Sequence, residues 1–446
     1  MGKNCQANHN GLLDAQHSLL SNQSLFYVTQ AICITQSGKE AVFTPPSANE
    51  LASLQIDSSH LYTGPLFWDI WQIQQSFGKD SVVTLPLDRV PDGVLPLRIL
   101  PYAFAGDVSV QLSNHLAQRG LLPLHRPLRL VLFNGTGTML GDTLVGLTAF
   151  KAVINSIRKV FPDIETQAVL AWNARPGVES IVQRCPDVQH IHQQAITLHE
   201  FCKFDAYWDF SALLALPGYN TIPLVDYYLQ NLGVDPVTLP ASEKVPALAL
   251  DAELCSKARE LLQSITASAP CILIHAQASN PLRSMPDAAL ICLLETLLES
   301  TRWRYVAVLN SLPSTIPIEL RKRIIDLSEW SSRSINHFFA IMACMEALVT
   351  VDTLAVHAAA ALRLPGVAVF STIDPDLRVA YSPNLTGIRI PGAHDLPAWG
   401  RHKSGDDWPG MEAVYESAWL QMDWQTVLAA LDHKIALNNS YSICEE

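Results

Sequence analysis

The 446-residue sequence predicts an α/β protein: two doubly wound parallel-sheet lobes in tandem, preceded by an α+β or β-rich region. Three observations carry this. From "LRLVLFN" (128–134) onward, apolar runs of strand length alternate with amphipathic helical segments, the pattern of a parallel sheet with crossover helices. The alternation pauses at "NLGVDPVTLPASEKVPALAL" (231–250), rich in Pro and Val with little periodicity, then restarts at "CILIHAQ". Hydrophobic residues make up 49% of the chain and charged residues only 16%, which supports well-buried cores and disfavours general disorder.

Taken in order, residues 1–125 carry short alternating runs such as "SLFYVTQAICIT" and "SVVTLPLDRV", broken by Pro and Gly, and are expected to form an accessory region. Within it "GPLFWDIWQIQQSF" (64–77) reads as an aromatic helix with Trp68 and Trp71 on one side, for packing rather than as an acceptor platform. Residues 126–240 form the first lobe: a strand at 128–134, the helix "DTLVGLTAFKAVINSIRKVFP", the strand "TQAVLAW" and the helix "GVESIVQRC". Residues 241–432 form the second. Strand "CILIHAQ" leads to a helix at 284–300, with Ser284 as its cap and Pro286 near its first turn. Then come strand "RYVAVLNS", helix "INHFFAIMACME", strand "ALVTVD", helix "LAVHAAAALR" and strand "GVAVFST". Residues 433–446 read as a tail. Doubly wound sheets bind ligands at the carboxyl ends of their strands, so a cleft between the lobes is the default site.

Several function classes are disfavoured. No apolar run reaches membrane-spanning length, and the polar N-terminus lacks the apolar core of a secretory signal. "MGKNCQ" begins like a myristoylation signal but has Gln6 where Ser or Thr is preferred. The nine cysteines are scattered, with no C-x-x-C pair and no zinc spacing, as expected of reduced thiols in a cytoplasmic protein without a structural metal. A net charge of −12 repels nucleic acid and anionic membrane surfaces, so neither is an expected partner. The one dense basic run, "LRKRIID" (320–326), reads as a solvated helix end.

The loop "FNGTGTMLGDTLVG" (133–146) poses the first chemical choice. Gly135, Gly137 and Gly141 spell G-x-G-x-x-x-G after a strand, close to a dinucleotide fingerprint. The fingerprint needs an acidic residue at the end of the next strand, and here that strand ends in Trp172-Asn173-Ala174-Arg175. Only a weaker NADP reading through Arg175 remains. Asp142 falls at the start of the helix, either as a simple N-cap or as a catalytic carboxylate kept ionised by the helix dipole.

"ALVTVDTLAVHAAAALRLPGVAVFSTIDP" (347–375) is the most specific stretch. A buried strand runs into Asp352-Thr353 and a helix bearing His357; the N–H groups at that helix start can receive a phosphate, or Asp352 or Thr353 can simply cap it. "ILIHAQASNPLRSMP" (272–286) repeats the design, placing Arg283 just before a helix. Two helix starts and a guanidinium can neutralise a diphosphate without a metal. His275 is either a ligand contact or a satisfied histidine at a strand end. The D-x-D within "IDPDLR" (373–378) reads as a loop and not a metal site.

These motifs, in this order and spacing, resemble the ADP-heptose:lipopolysaccharide heptosyltransferases, glycosyltransferase family 9. "GDTLVGLTAFKAV" resembles the family's G-D-x-L segment, "ILIHAQASNPLRSMP" its H-x-G/A…K-x-W-P segment, and "VTVDTLAVHAAAAL" its V-S-V-D-T-G-x-x-H-x-A-A-A-L segment. "FSTIDP" and the final "DWQTVLAALD" resemble its G-P-T-D-P turn and closing helix, so the likeness spans about 128–432. It implies a GT-B fold of two Rossmann-like lobes and an inverting, metal-independent transfer of a heptose or related hexose. The donor is a nucleotide-diphosphate sugar and no cofactor is needed. Asp142 falls on the family's catalytic base, beside Gly141. Ser279, Arg283, Asp352, Thr353 and His357 fall on donor-binding positions, with His275 a further candidate. The acceptor class, saccharide, lipid or protein, stays open.

Three departures stand out: Leu354 replaces the glycine after D-T, Arg283 replaces a lysine, and Met285 replaces an aromatic. Leu354 and the unmatched first 125 residues also motivate a non-catalytic alternative, a GT-B scaffold binding a protein partner or itself through that region.

Overall fold

A computed structural model describes residues 96–133, 135–137, 139–170, 174–193, 196–197, 203–210, 218–309, 312–400 and 410–442, with short strands at Ile32–Ile34, Glu40–Val42 and Tyr62–Thr63. The expected helix at 64–77, with Trp68 and Trp71, lies outside the described residues. Two compact units emerge: residues 1–217 with 228–238, and residues 218–227 with 239–446.

In the first unit, β1 (Leu97–Arg98), β2 (Leu128–Phe133), β3 (Ile164–Leu170), β4 (His190–Gln193) and β5 (Ala206–Asp209) form a parallel sheet in the order β1-β5-β2-β3-β4. Strand β2 is central and its Leu128, Leu130, Val131 and Leu132 are fully buried, which is why it reads as an apolar run broken only by Arg129. Helix α1 (Val108–Gln118) is capped by the Asp107 carboxylate, which accepts from the Ser109 N–H. Helix α2 (Leu140–Arg158) follows β2 and buries Leu144, Phe150, Val153 and Ile157.

Of the expected accessory region, the segment from residue 96 onward is built into this unit, while Ile32–Ile34 pairs with Glu40–Val42 and Tyr62–Thr63 with Ile196–Thr197 in two small separate sheets. Leu97 pairs with Ala206 and Arg98 with Tyr207, and the Val108 N–H donates to the Gly233 carbonyl at 2.7 Å. Two-residue β1 is too short to show a period, so the sequence placed the boundary near 125 instead.

In the second unit, β6 (Cys271–His275), β7 (Tyr305–Val308), β8 (Ile324–Asp326), β9 (Ala347–Val351), β10 (Gly366–Phe370) and β11 (Leu385–Arg389) form a parallel sheet in the order β8-β7-β6-β9-β10-β11. The chain winds outward from β6 to β8, then returns to the other side of β6 with β9. The strand order therefore reverses between β6 and β9, and the carboxyl ends of these two strands flank the topological switch point. Helices α3 (Ala252–Thr266), α4 (Asp287–Glu299), α5 (Ile335–Met342), α6 (Leu354–Leu362), the short α7 (Asp376–Val379) and α8 (Trp424–Ser442) belong to this unit, as do shorter helices at Ile318–Arg321, Ser328–Ser332 and Glu412–Leu420. Its core joins Ile272, Ile274, Val349, Val351 and Val367 to Leu293, Leu297, Trp419 and Leu431.

Three readings change here. Helix α4 begins at Asp287 with Pro286 as cap residue, while the Ser284 hydroxyl accepts from the Ala278 N–H at 2.9 Å and so fastens the preceding loop. Residues 433–442 continue α8, and Ile435 is buried in the core, so they are not a tail. The basic run is structural as well as solvated. Arg323 donates to the carbonyls of Leu298, Trp303 and Arg304, and Arg321 to those of Pro313, Ser314 and Ile316.

Candidate functional site

The switch point of the second sheet collects the charged residues expected there. Strand β6 ends at His275 and opens a loop whose turn is set by the Asn280 side chain, which accepts from the Leu282 N–H. The Ser371 hydroxyl, just past β10, donates to the Leu282 carbonyl at 2.6 Å and ties this loop to the next strand but one. The loop thus presents Arg283, whose guanidinium reaches Asp352 Oδ2 at 3.2 Å and Ser279 Oγ at 3.2 Å. Strand β9 ends at Val351 and delivers Asp352 directly. Thr353 caps α6 by accepting from the Ala355 N–H at 3.1 Å, and its Oγ1 lies 3.2 Å from His275 Nδ1. Ser279, Arg283, Asp352, Thr353 and His275 therefore form one connected group across β6 and β9.

His357 stands one turn into α6, 7% exposed. Burial drives its pKa down to about 4; the Asp352 carboxylate opposes this, and Arg378 and Arg283 add to it. His275 is likewise lowered to about 4 by burial. Both imidazoles are neutral near pH 7. Burial alone pushes the Asp352 carboxyl up, but Arg283, Arg378 and His357 together hold it below the usual range. One carboxylate and two guanidiniums leave an excess of positive charge, beside the N-terminus of α6, where an anion is favoured.

Comparison with known proteins bears on this group directly. The family model of glycosyltransferase family 9 (heptosyltransferase) matches residues 229–406, a stretch that holds Ser279, Arg283, Asp352, Thr353 and His357. That stretch is similar to the heptosyltransferases of family 9. The match supports glycosyltransferase activity, and the resemblance read from the motifs stands. No curated protein sequence matches the chain. Among solved structures, it is similar to the Escherichia coli ADP-heptose LPS heptosyltransferase II, with TM-score 0.48 and 16% identity over 70% of this chain and 99% of that one. A family 9 glycosyl transferase from Veillonella parvula gives TM-score 0.47 and 13% identity over 69% and 97%. The iron-containing dodecameric glycosyltransferase TibC of enterotoxigenic E. coli gives 0.43 and 14% over 71% and 77%.

In the first unit, the glycine loop follows central β2. Gly135 and Gly137 adopt left-handed backbone, with φ of 55° and 128°. Gly146 on α2 serves a different need: a Cβ there would come within 2.3 Å of the Thr136 Cβ. The loop thus folds onto its own helix. Thr136 donates to the Thr143 carbonyl at 3.0 Å, and the Tyr228 hydroxyl donates to the Thr136 carbonyl at 2.7 Å. Gly141 and Asp142 are the second and third residues of α2, whose cap position is Met139. Asp142 is therefore not the N-cap. Its carboxylate sits in the first turn, half-buried, where the helix dipole favours the ionised form.

The departures find places too. Leu354 is the first residue of α6 and half-buried; Met285 is buried in the core. In the D-x-D, the Asp374 carboxylate accepts from the Asp376 N–H at 3.1 Å and lies 3.7 Å from Arg389, so it shapes the turn into α7. Among the described residues, no three or more His, Cys, Asp or Glu side chains are grouped to hold a metal ion. No described helix is long and apolar enough to cross a membrane. Sequence reasoning missed Arg378, whose charge acts on both Asp352 and His357; its position at the end of "IDPDLR", after the strand beside β9, was the available signal.

Proposed function

We propose that the protein is an inverting glycosyltransferase that moves a heptose or related hexose from a nucleotide-diphosphate sugar to an acceptor hydroxyl, without a metal ion. The observation that carries this reading is the Arg283–Asp352–Thr353 group at the switch point, inside the stretch matched by the family model. In this reading Arg283, Ser279, Thr353 and the start of α6 receive the diphosphate, and Asp352 holds Arg283 in place. Their fixed positive charge stabilises the negative charge that develops on the departing diphosphate.

Asp142 is the proposed base. Its carboxylate takes the acceptor hydroxyl proton, the acceptor oxygen forms a bond to the anomeric carbon, and the bond from that carbon to the diphosphate oxygen breaks on the opposite face. The products are the glycoside of inverted configuration and the free nucleoside diphosphate. The dipole of α2 keeps Asp142 ionised before reaction and weakens it as a base, so proton transfer falls late. We carry forward a saccharide acceptor, a cytoplasmic site of action and self-association as parts of the same reading.

The test is Asp142→Ala. Calorimetry with ADP-, GDP-, UDP- and TDP-sugars should show donor affinity unchanged from wild type, while turnover falls at least about a thousandfold, in line with the loss of a general base and its positioning. Undiminished turnover removes Asp142 from the chemistry. Leu354 favours a second reading, a non-catalytic scaffold, because a Cβ now stands where the family has glycine. Failure of wild type to bind any of the four donors would favour it.

A further inference from the structure

We propose that Arg378 is a second diphosphate-binding guanidinium, held ready by residues Gly218–Tyr227 of the same unit. The inference rests on the glycosyltransferase reading and deepens it. Three adjacent parallel strands, β6, β9 and β10, end at the same edge of the sheet, and the segments that follow them carry Arg283, Asp352 and Arg378; Asp374, on the way to Arg378, is turned to Arg389 and to the Asp376 N–H. Arg283 is already engaged by Asp352 and Ser279. Asp352 is thereby matched, and the Arg378 guanidinium, which pairs with no carboxylate among the described residues, is available to a ligand. The electrostatic pull of Arg378 on both Asp352 and His357 places it in the same field.

The arginine is aimed by what it rests on. Its guanidinium carbon stands 5.2 Å from the ring centre of Tyr219, a stacking distance for a cation on an aromatic face, and its Nη2 is 3.5 Å from Asn220 Oδ1. Tyr219 is buried and meets Tyr227 edge-on at 5.5 Å. The far end of this segment is pinned: Lys244 Nζ lies 2.8 Å from Asp226 Oδ1, and the Tyr381 hydroxyl donates to Asp226 Oδ2 at 2.5 Å. Lys244 and Asp226 are themselves largely shielded from solvent. A planar, pre-stacked guanidinium presents its remaining N–H groups as a fork suited to two phosphate oxygens, and loses little freedom on binding. The class of ligand is a pyrophosphate-containing anion.

The test is calorimetric titration of inorganic pyrophosphate and of ADP, GDP, UDP and TDP into the full chain. It compares wild type, Arg378→Gln, Arg378→Lys and, as a control with the same charge change on the exposed face of α3, Arg259→Gln. Arg378→Gln should weaken pyrophosphate and the best-bound nucleoside diphosphate about tenfold or more, the size of one lost charge-assisted contact. Arg378→Lys should fall between that variant and wild type, since charge survives without the fork. Arg259→Gln should match wild type, and thermal melts should show all four folded. If wild type binds these anions and Arg378→Gln binds them equally well, the inference is overturned while the glycosyltransferase reading survives. If wild type binds none of them, both fall. Should Arg378→Gln not fold, Arg378→Lys decides: wild-type affinity in that variant also counts against a bidentate role.

Discussion

The two central loops of the molecule start alike and end differently. Each follows the carboxyl end of a buried central strand, β2 in the first unit and β6 in the second, and each leads into a helix. The first loop is folded back on its own helix: Thr136 donates to the Thr143 carbonyl and accepts from the Tyr228 hydroxyl, and Gly146 makes room for the fold-back. It runs into a helix with one carboxylate, Asp142, in its first turn. The second loop is cross-linked to its neighbours by Ser371, Asp352 and Thr353, and gathers opposite charges. The first arrangement suits a single proton acceptor; the second suits an anion whose charge must be balanced before it arrives.

The largest expected effect separating them is acid sensitivity. His275 and His357 each have a pKa near 4 in the folded protein against 6.5 when free, so the unfolded chain binds more protons between these values. Stability is thus fully present above about pH 6.5 and is lost as pH falls toward 4, by roughly 3 kcal/mol per histidine. Thermal melts across this range should show a steep fall in Tm for wild type, and His357→Asn should flatten it by about half. A wild-type Tm that does not change over that range breaks the description of the second unit.

A smaller effect targets the first unit. Gly146→Ala drives a methyl into Thr136 and the Tyr228 ring, with nearest approaches of 2.3 and 2.8 Å. Overpacking of this kind costs about 1–3 kcal/mol, and the loop bearing Asp142 should take the strain. Denaturant melts should show that loss, and turnover should drop while nucleoside diphosphate affinity stays at the wild-type value. Equal losses in affinity and turnover would erase the division of labour between the loops.

Much of this was legible in the sequence for a physical reason. Strands β2, β6, β9 and β10 are buried on both faces, so they appear as largely apolar runs, and the polar residues that follow them fall at their carboxyl ends, where ligands bind. Asp352, Thr353 and Arg283 were visible on that basis. Short mixed strands were not: "HIHQ" in edge strand β4, "LTGIR" in edge strand β11 and "AYWD" in interior β5 have no clear period. Ser284 looked like a helix cap because its spacing to α4 allowed it, and nothing local shows that its hydroxyl turns back to Ala278. Arg378 was hidden for a deeper reason. Tyr219, on which it stacks, and Asp352, on which its charge acts, are 159 and 26 residues away in sequence, so only the tertiary fold relates them.

The most direct test of the account is a crystal structure of the full chain with the nucleoside diphosphate it binds best. The account predicts the diphosphate at the carboxyl ends of β6 and β9, with oxygens within hydrogen-bonding reach of the Arg283 guanidinium and the Thr353 hydroxyl or the first N–H groups of α6. A diphosphate bound elsewhere, with the Arg283–Asp352 pair untouched by it, would contradict the account.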